Sequence, residues 1–252
     1  MHLIDELESP IIFGHRGASK FAPENTLAAF DLALASGAPA IELDTMLTRD
    51  GVPVVIHDRT VDRTTDGKGR VDDLTLKQVQ SLDAGSRFSA KFHGEKIPTL
   101  EQVFERYRSK LLINVELKNY HAPFDALPVV VVELVRQMKN QNSLIFSSFN
   151  PVNLTRIKRV LPEAQVALLV ENSFGGRVLA SRVFSSISPH FIHPQTSYIS
   201  PEYLSREHAH GRRVNTWTVN DMQDACKFRE WGIDGLIGDD PGGLQVILQE
   251  SH

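Results

Sequence analysis

The sequence predicts an α/β protein built as a (β/α)8 TIM barrel with a small insertion after the second strand. Three observations lead there. Short apolar runs alternate with amphipathic, helix-like segments about eight times, the pattern of parallel strands joined by crossover helices. The chain has 252 residues, a common length for one such barrel and enough to bury a full core without staples. No glycine-rich dinucleotide loop follows the first apolar run, which counts against a doubly wound open sheet.

The first strand is expected over Pro10–Gly14, running into His15-Arg16-Gly17. A helix over Glu24–Ser36 puts Leu27, Phe30 and Leu34 on one face and stops at Gly37. The remaining strands are expected at Ala40–Leu47, Leu111–Leu117, Leu144–Phe149, Val166–Val170, Ser186–Ile192, Val214–Val219 and Gly235–Ile237. Between them, Leu100–Arg108, Asp125–Lys139, Pro151–Val160, Gly176–Phe184, Pro201–His210 and Asp221–Trp231 read as helices. Pro241 opens a last helix toward Gln249, a favoured place for proline.

One region breaks the rhythm. Residues of about 59–98 carry polar turns, a short helical piece near Thr75–Leu82 and a further loop. With few apolar residues it is expected to lack a core of its own, so residues 1–252 read as one domain bearing an insertion. No internal repeat or low-complexity tract is present.

The totals exclude several function classes. A formal net charge of -4 argues against a dedicated nucleic-acid binder. The single cysteine, Cys226, excludes an intrachain disulfide and a multi-thiolate metal site, and fits a reducing compartment. No run of about 18 apolar residues suggests a membrane span, and the acidic MHLIDELESP does not read as a secretory signal. The expected setting is cytoplasmic, without stable membrane insertion.

Chemistry is expected at the C-terminal ends of barrel strands. The first strand ends at His15-Arg16. In the second, Glu42 and Asp44 alternate with Ile41 and Leu43. If the apolar pair faces the helices, the carboxylates point into the lumen. The run VPVVIHD ends at His57-Asp58, and LLINVELK places Asn114, Glu116 and Lys118 on one face. Trp217 stands near the end of VNTWTVN.

Each feature has a bland reading: a hydrogen-bonded strand-end histidine, a solvated face, a simple ion pair. Together they would put three carboxylates at one barrel mouth, where unpaired charge is costly. A divalent cation neutralises Glu42, Asp44 and Glu116 jointly, and oxygen ligation suits Mg²⁺ or Ca²⁺. Arg16 and Lys118 would bind a phosphate, and His15 and His57 fit acid–base work on either side of a P–O bond. That set implies phosphodiester cleavage.

The runs HRGASKFAPENTLAAF, IELDTMLTRDGVPVVIHDRTVDRTT, NVELK, VNTWTVN and GIDGLIGDDP occur in order along the chain, the last ending at residue 241. The chain thereby resembles the glycerophosphodiester phosphodiesterases of the cytoplasmic bacterial type. The resemblance implies hydrolysis of glycerophosphocholine, glycerophosphoethanolamine and similar small molecules to sn-glycerol 3-phosphate and an alcohol. It implies His15 and His57 as the acid–base pair, Glu42, Asp44 and Glu116 as ligands of a divalent cation, and Arg16 and Lys118 on the phosphate. Trp217 would line the glycerol side. A homodimer stays open as its assembly. One departure is Gly238, where the pattern would have a threonine.

Other motif residues read structurally. Asn25 or Thr26 is expected to cap a helix, with Glu24 beside them. Asp50-Gly51 suits a tight turn, and Asp239-Asp240-Pro241 a loop or cap. Ser148-Phe149 is placed to line the pocket, and His193 is the best second-tier histidine. Two other readings compete. A phosphatidylinositol-type phospholipase C would want an apolar or cationic rim, which Phe88 and Phe92 in a polar setting hardly supply. A non-catalytic phosphodiester-binding barrel would be expected to have lost a histidine or a carboxylate, and none is lost.

Overall fold

Eight parallel strands close on themselves as the strand–helix alternation predicts. The computed structural model describes residues 2–139, 141–173, 175–176, 186–188 and 190–249. The strands are β1 (Ile11–His15), β2 (Ala40–Leu47), β3 (Pro53–Val55), β4 (Leu112–Leu117), β5 (Leu144–Ser148), β6 (Gln165–Val170), β7 (Phe191–Pro194), β8 (Arg213–Trp217) and β9 (Gly235–Gly238). β1 pairs in parallel with both β2 and β9, which closes the ring. β3 lies outside it, paired antiparallel to β2 across the Asp50-Gly51 turn. Gly51 has φ +79°, a left-handed conformation that favours glycine.

The described helices are α1 (Leu27–Ala35), α2 (Leu76–Ser81), α3 (Leu100–Tyr107), α4 (Leu127–Met138), α5 (Pro151–Val160), α6 (Pro201–Ala209), α7 (Met222–Glu230) and α8 (Pro241–Gln249). α1 starts later than its apolar spacing predicts. Thr26 is its N-cap, with Oγ1 accepting from Ala29 N, and Pro23–Asn25 form a turn before it. The helix expected over Gly176–Phe184 falls, save its first residue, outside the described residues. Among the described residues, no helix is long and apolar enough to cross a membrane.

The two faces of each strand divide the core. Ile41, Leu43, Ile113 and Val115 face outward and pack with Phe30 of α1 and Phe104 of α3 in one continuous buried cluster. Ile11, Phe13, Ala40, Leu112, Ile145 and Phe191 fill the lower lumen, with Ile4 beneath them. Burying a side chain of this size contributes roughly 1.5–3 kcal/mol. Asn114, Ser147, His193 and Asn215 are also buried and lie on inward-facing strand positions.

Two expectations are corrected. The seventh strand is Phe191–Pro194, not Ser186–Ile192; residues 186–188 form a turn. The Ser188 hydroxyl accepts from Leu168 N and donates to Val166 O, so it occupies backbone groups of β6 before the ladder starts at Phe191. The insertion also has a small core. Val61, Val71, Val79, Ala84 and Ile97 are buried with Val54 of β3, and Met46 of β2 packs against them. The strand pair β2–β3 adds Val54 and Met46 to a cluster built mainly from the insertion's own residues.

Candidate active site

Strand register converges the polar residues. His15 is level with Glu42, and Asp44 is level with Glu116. Because Ile41 and Leu43 face the helices, Glu42 and Asp44 point into the lumen, as their two-residue spacing predicts. One cleft is lined by His15, Arg16, Glu42, His57, Asn114, Glu116, Lys118, Phe149 and Trp217. Asp44, level with Glu116, is buried beside it and joined to Arg16 and Lys118. All eight residues singled out from the sequence therefore meet at one mouth.

His57 arrives by a different route from the others. It follows β3, so the β2–β3 hairpin folds it over the barrel end. Two close approaches shape the loop after β1. A Cβ on Gly14 would sit 2.9 Å from Gly17 O, and one on Gly17 would sit 2.6 Å from the backbone of Ala29. Between them Arg16 is held at φ +55°, left-handed for a residue with a side chain. Its backbone N–H donates to Glu42 Oε2 at 3.0 Å, which pins that strained turn to the carboxylate.

Ligand atoms of Glu42, Asp44 and Glu116 lie within 4.8 Å of one another, and all three residues are buried. Two cations offset part of this charge. Lys118 Nζ is 3.1 Å from Glu116 Oε1 and 3.5 Å from Asp44 Oδ1. Arg16 Nε is 3.2 Å from Asp44 Oδ2, an ion pair without hydrogen-bond geometry. Asn25, at φ +58°, donates from Nδ2 to Asp44 Oδ2 at 2.8 Å and accepts from Asp44 N. Burial works against the Asp44 anion, but Lys118, Arg16, His57 and the Asn25 amide outweigh it and hold the carboxyl at about 2. Glu42 goes the other way. Burial pushes it well above the usual carboxylate range, and Asp44 and Glu116 push in the same direction.

Each histidine is held by a carboxylate. His15 Nδ1 is 2.6 Å from Asp239 Oδ1, and His57 Nδ1 is 2.6 Å from Asp58 Oδ1. Asp239 also accepts from Ser19 Oγ at 3.1 Å and Asn220 Nδ2 at 2.6 Å. These donors overcome its burial and lower it to about 2. Asp58 is likewise lowered to about 2: burial opposes, while Arg63 and His57 prevail. A carboxylate only accepts, so each Nδ1 carries the proton and each Nε2 is left for other chemistry.

Sequence reasoning missed these supporting residues. Asp239 reads as a loop or cap from sequence; it is the partner of His15, 224 positions away. Glu24 reads as part of a helix start; it accepts from Arg16 Nη1 at 3.0 Å and from Arg63. Tyr120 donates to Glu116 Oε1 at 2.7 Å. The one signal available was the local cluster of charged residues in PEN, HDRTVDR and GDDP.

Trp217 and Phe149 meet edge to face, 5.5 Å between centroids, as one apolar wall. Ser148 is fully buried, its hydroxyl on Leu117 O, and only Phe149 reaches the cleft. His193 lies fully buried and outside the cleft lining, paired with Asn215, and burial drops its pKa to about 3. A Cβ at Gly238 would sit 2.4 Å from Val219 O, so the backbone there leaves no room for a threonine.

A barrel mouth with clustered carboxylates, two cations and two carboxylate-held histidines is suited to gripping a phosphate and moving protons beside it. The class is that of the phosphoric diester hydrolases. The model of the glycerophosphoryl diester phosphodiesterase family matches residues 15–243, and the chain belongs to that family. It is 39% identical to a glycerophosphodiester phosphodiesterase of Caldanaerobacter subterraneus over 241 residues, covering 95% of this chain and 98% of the relative. A phosphodiesterase of Oleispira antarctica, solved in complex with the product sn-glycerol-3-phosphate, superposes with a TM-score of 0.86 at 33% identity, covering 95% and 97% of the two chains. A glycerophosphodiester phosphodiesterase of Agrobacterium tumefaciens gives 0.81 at 29% identity, covering 93% and 98%.

Proposed function

We propose that this chain hydrolyses glycerophosphodiesters, such as glycerophosphocholine and glycerophosphoethanolamine, to sn-glycerol 3-phosphate and the free alcohol. The reaction uses a divalent cation and the pair His15 and His57. The observation that carries this reading is the meeting of the Glu42–Asp44–Glu116 cluster with two histidines whose Nδ1 atoms are each held by a carboxylate. The Oleispira antarctica enzyme, solved with sn-glycerol-3-phosphate, supports the product.

The donor set fits a hard cation. It is all oxygen, and Arg16 and Lys118 leave charge uncompensated: Glu42 is driven toward its neutral form by burial and by its two carboxylate neighbours. When bound, Mg²⁺ or Ca²⁺ would offset that charge and polarise the phosphoryl oxygens. The chain's own groups do the rest. Arg16 and Lys118 hold the phosphate from the protein side. Nε2 of one histidine takes the proton of the attacking hydroxyl, and Nε2 of the other gives a proton to the departing alkoxide. Trp217 and Phe149 offer an apolar wall to the glycerol carbons. Overall one water is consumed and the P–O bond to the departing alcohol is replaced by one to the water oxygen; where the glycerol 2-hydroxyl attacks first, that water opens the cyclic phosphate it forms, a second P–O bond forming and breaking.

We read residues 1–252 as one domain in which the insertion completes the mouth, working in the cytoplasm. A coupled assay for glycerol 3-phosphate, run over several head groups with chelator and with each metal, tests the function. Product from at least one diester is expected, lost in chelator and restored by Mg²⁺ or Ca²⁺. Full activity in chelator would sink the metal assignment, and no product from any diester would sink the substrate class.

A further inference from the structure

We propose that Arg63, contributed by the insertion, is a positioning residue that locks the Arg16 guanidinium and the His57 ring in one arrangement through Glu24 and Asp58. The inference rests on the functional reading above and extends it to a residue that touches neither phosphate nor metal.

Arg63 makes three short hydrogen bonds to two carboxylates. Its Nε donates to Asp58 Oδ2 at 2.6 Å, and its Nη1 and Nη2 donate to the two oxygens of Glu24 at 2.7 Å each. Both carboxylates also carry a residue of the cleft. Asp58 Oδ1 holds His57 Nδ1 at 2.6 Å, and Glu24 Oε1 takes Arg16 Nη1 at 3.0 Å. The result is one continuous chain, Arg16–Glu24–Arg63–Asp58–His57. It ties the loop after β1 to the segment after β3.

The chemistry of the chain requires arginine. A planar fork can give two parallel bonds to one carboxylate and a third to another; an ammonium is a single point of charge. Both anions respond. Burial opposes ionisation of Glu24 and Asp58, yet both are lowered, with Arg63 the leading favourable partner of each. The Arg16 backbone is already fixed by its left-handed turn and its bond to Glu42. Among the described residues, Glu24 is the acceptor that aims the far end of its side chain. A plain surface ion pair would be the alternative, since Arg63 is 49% exposed. Such pairs contribute little to stability. The bond from each carboxylate to a cleft residue separates the two readings.

The test compares Arg63→Ala and Arg63→Lys with the wild type in glycerol 3-phosphate release and thermal unfolding. Arg63→Ala is expected to lower kcat about 10- to 100-fold through His57 and to raise KM through Arg16, with the melting temperature nearly unchanged. Arg63→Lys is expected to stay near the alanine variant, and added guanidinium to restore part of the alanine variant's rate. Combined with Asp58→Asn, the kcat losses are expected not to multiply; combined with Glu24→Gln, the KM increases are expected not to multiply. Unchanged kinetics in Arg63→Ala, wild-type rates in Arg63→Lys, independent losses in both double variants, or a rate loss that tracks a fall in melting temperature would each overturn the proposal. Two readouts need no turnover: weaker binding of inorganic phosphate, and a shift of the His57 ring resonances with those of His15 unmoved. If the wild type released no glycerol 3-phosphate, the substrate reading would fail, and these two readouts alone would decide Arg63.

Discussion

Replacing Asp239 by asparagine is expected to lower kcat by roughly tenfold to a hundredfold while leaving the barrel folded. Asp239 accepts from three donors: His15 Nδ1 at 2.6 Å, Ser19 Oγ at 3.1 Å and Asn220 Nδ2 at 2.6 Å. Asn220 cannot easily reverse, because its Oδ1 accepts from Asp239 N at 3.0 Å. An asparagine at 239 would therefore turn its carbonyl toward Asn220 and its NH₂ toward His15. Nδ1 would then have to accept, and the proton would move to Nε2: as a base His15 could not take a proton in the cleft, and as an acid its imidazolium would lose the carboxylate that supports it and meet an NH₂ instead. Loss of one charge-assisted hydrogen bond is worth about 1.5–3 kcal/mol. At about 1.4 kcal/mol per decade, that gives the quoted range. The assay is steady-state release of glycerol 3-phosphate, with circular dichroism as a check on folding. A folded Asp239→Asn with wild-type kcat would refute the reasoning.

Other outcomes follow from the same geometry. In chelator at about pH 8, Glu42→Gln is expected to raise the melting temperature by a few degrees. The folded Glu42 pKa is raised, so the stability it contributes at low pH is lost as pH rises through that value. Added Mg²⁺ or Ca²⁺ is expected to raise the melting temperature of the wild type but not of this variant; equal shifts would count against the cluster as the metal site. Below about pH 4 the chain is expected to lose stability progressively. Asp44, Asp58 and Asp239 are each held at about 2, so the unfolded chain binds protons first as pH falls. Urea midpoints that stayed flat from pH 5 to pH 3 would contradict this. Arg16→Ala is expected to weaken kcat/KM for choline and ethanolamine diesters alike, because its partners surround the phosphate side of the cleft. A loss confined to one head group would make Arg16 a head-group contact.

The barrel and the first ring of the site were legible because they rest on local period. Glu42 and Asp44 sit two apart between Ile41 and Leu43, and that alternation alone sends them into the lumen. Glu116 follows the same rule in β4, and Lys118 continues it one residue past the strand's end. The supporting residues were not legible because their partners are distant in sequence. Nothing near Asp239 in the chain announces His15. Arg63 sits in a polar stretch whose residues look alike until the hairpin folds one of them over Glu24. The start of β7 is illegible for a related reason: Ser188 competes for the backbone of β6, a contact across 20 residues. The insertion's small core is not legible because its apolar residues, Val61, Val71, Val79, Ala84 and Ile97, are scattered among polar turns and meet only where they pack on Val54 and Met46.

The division of labour between the two histidines is tested most directly by leaving-group dependence. His15→Ala and His57→Ala would each be assayed on glycerophosphoethanolamine and on a glycerol phosphodiester carrying a p-nitrophenyl group, whose departure needs no proton. The account predicts that both variants fail on the first substrate and that one of them recovers on the second, the one lacking the general acid. Recovery of both variants, or of neither, would contradict a mechanism with one proton-taking and one proton-giving histidine.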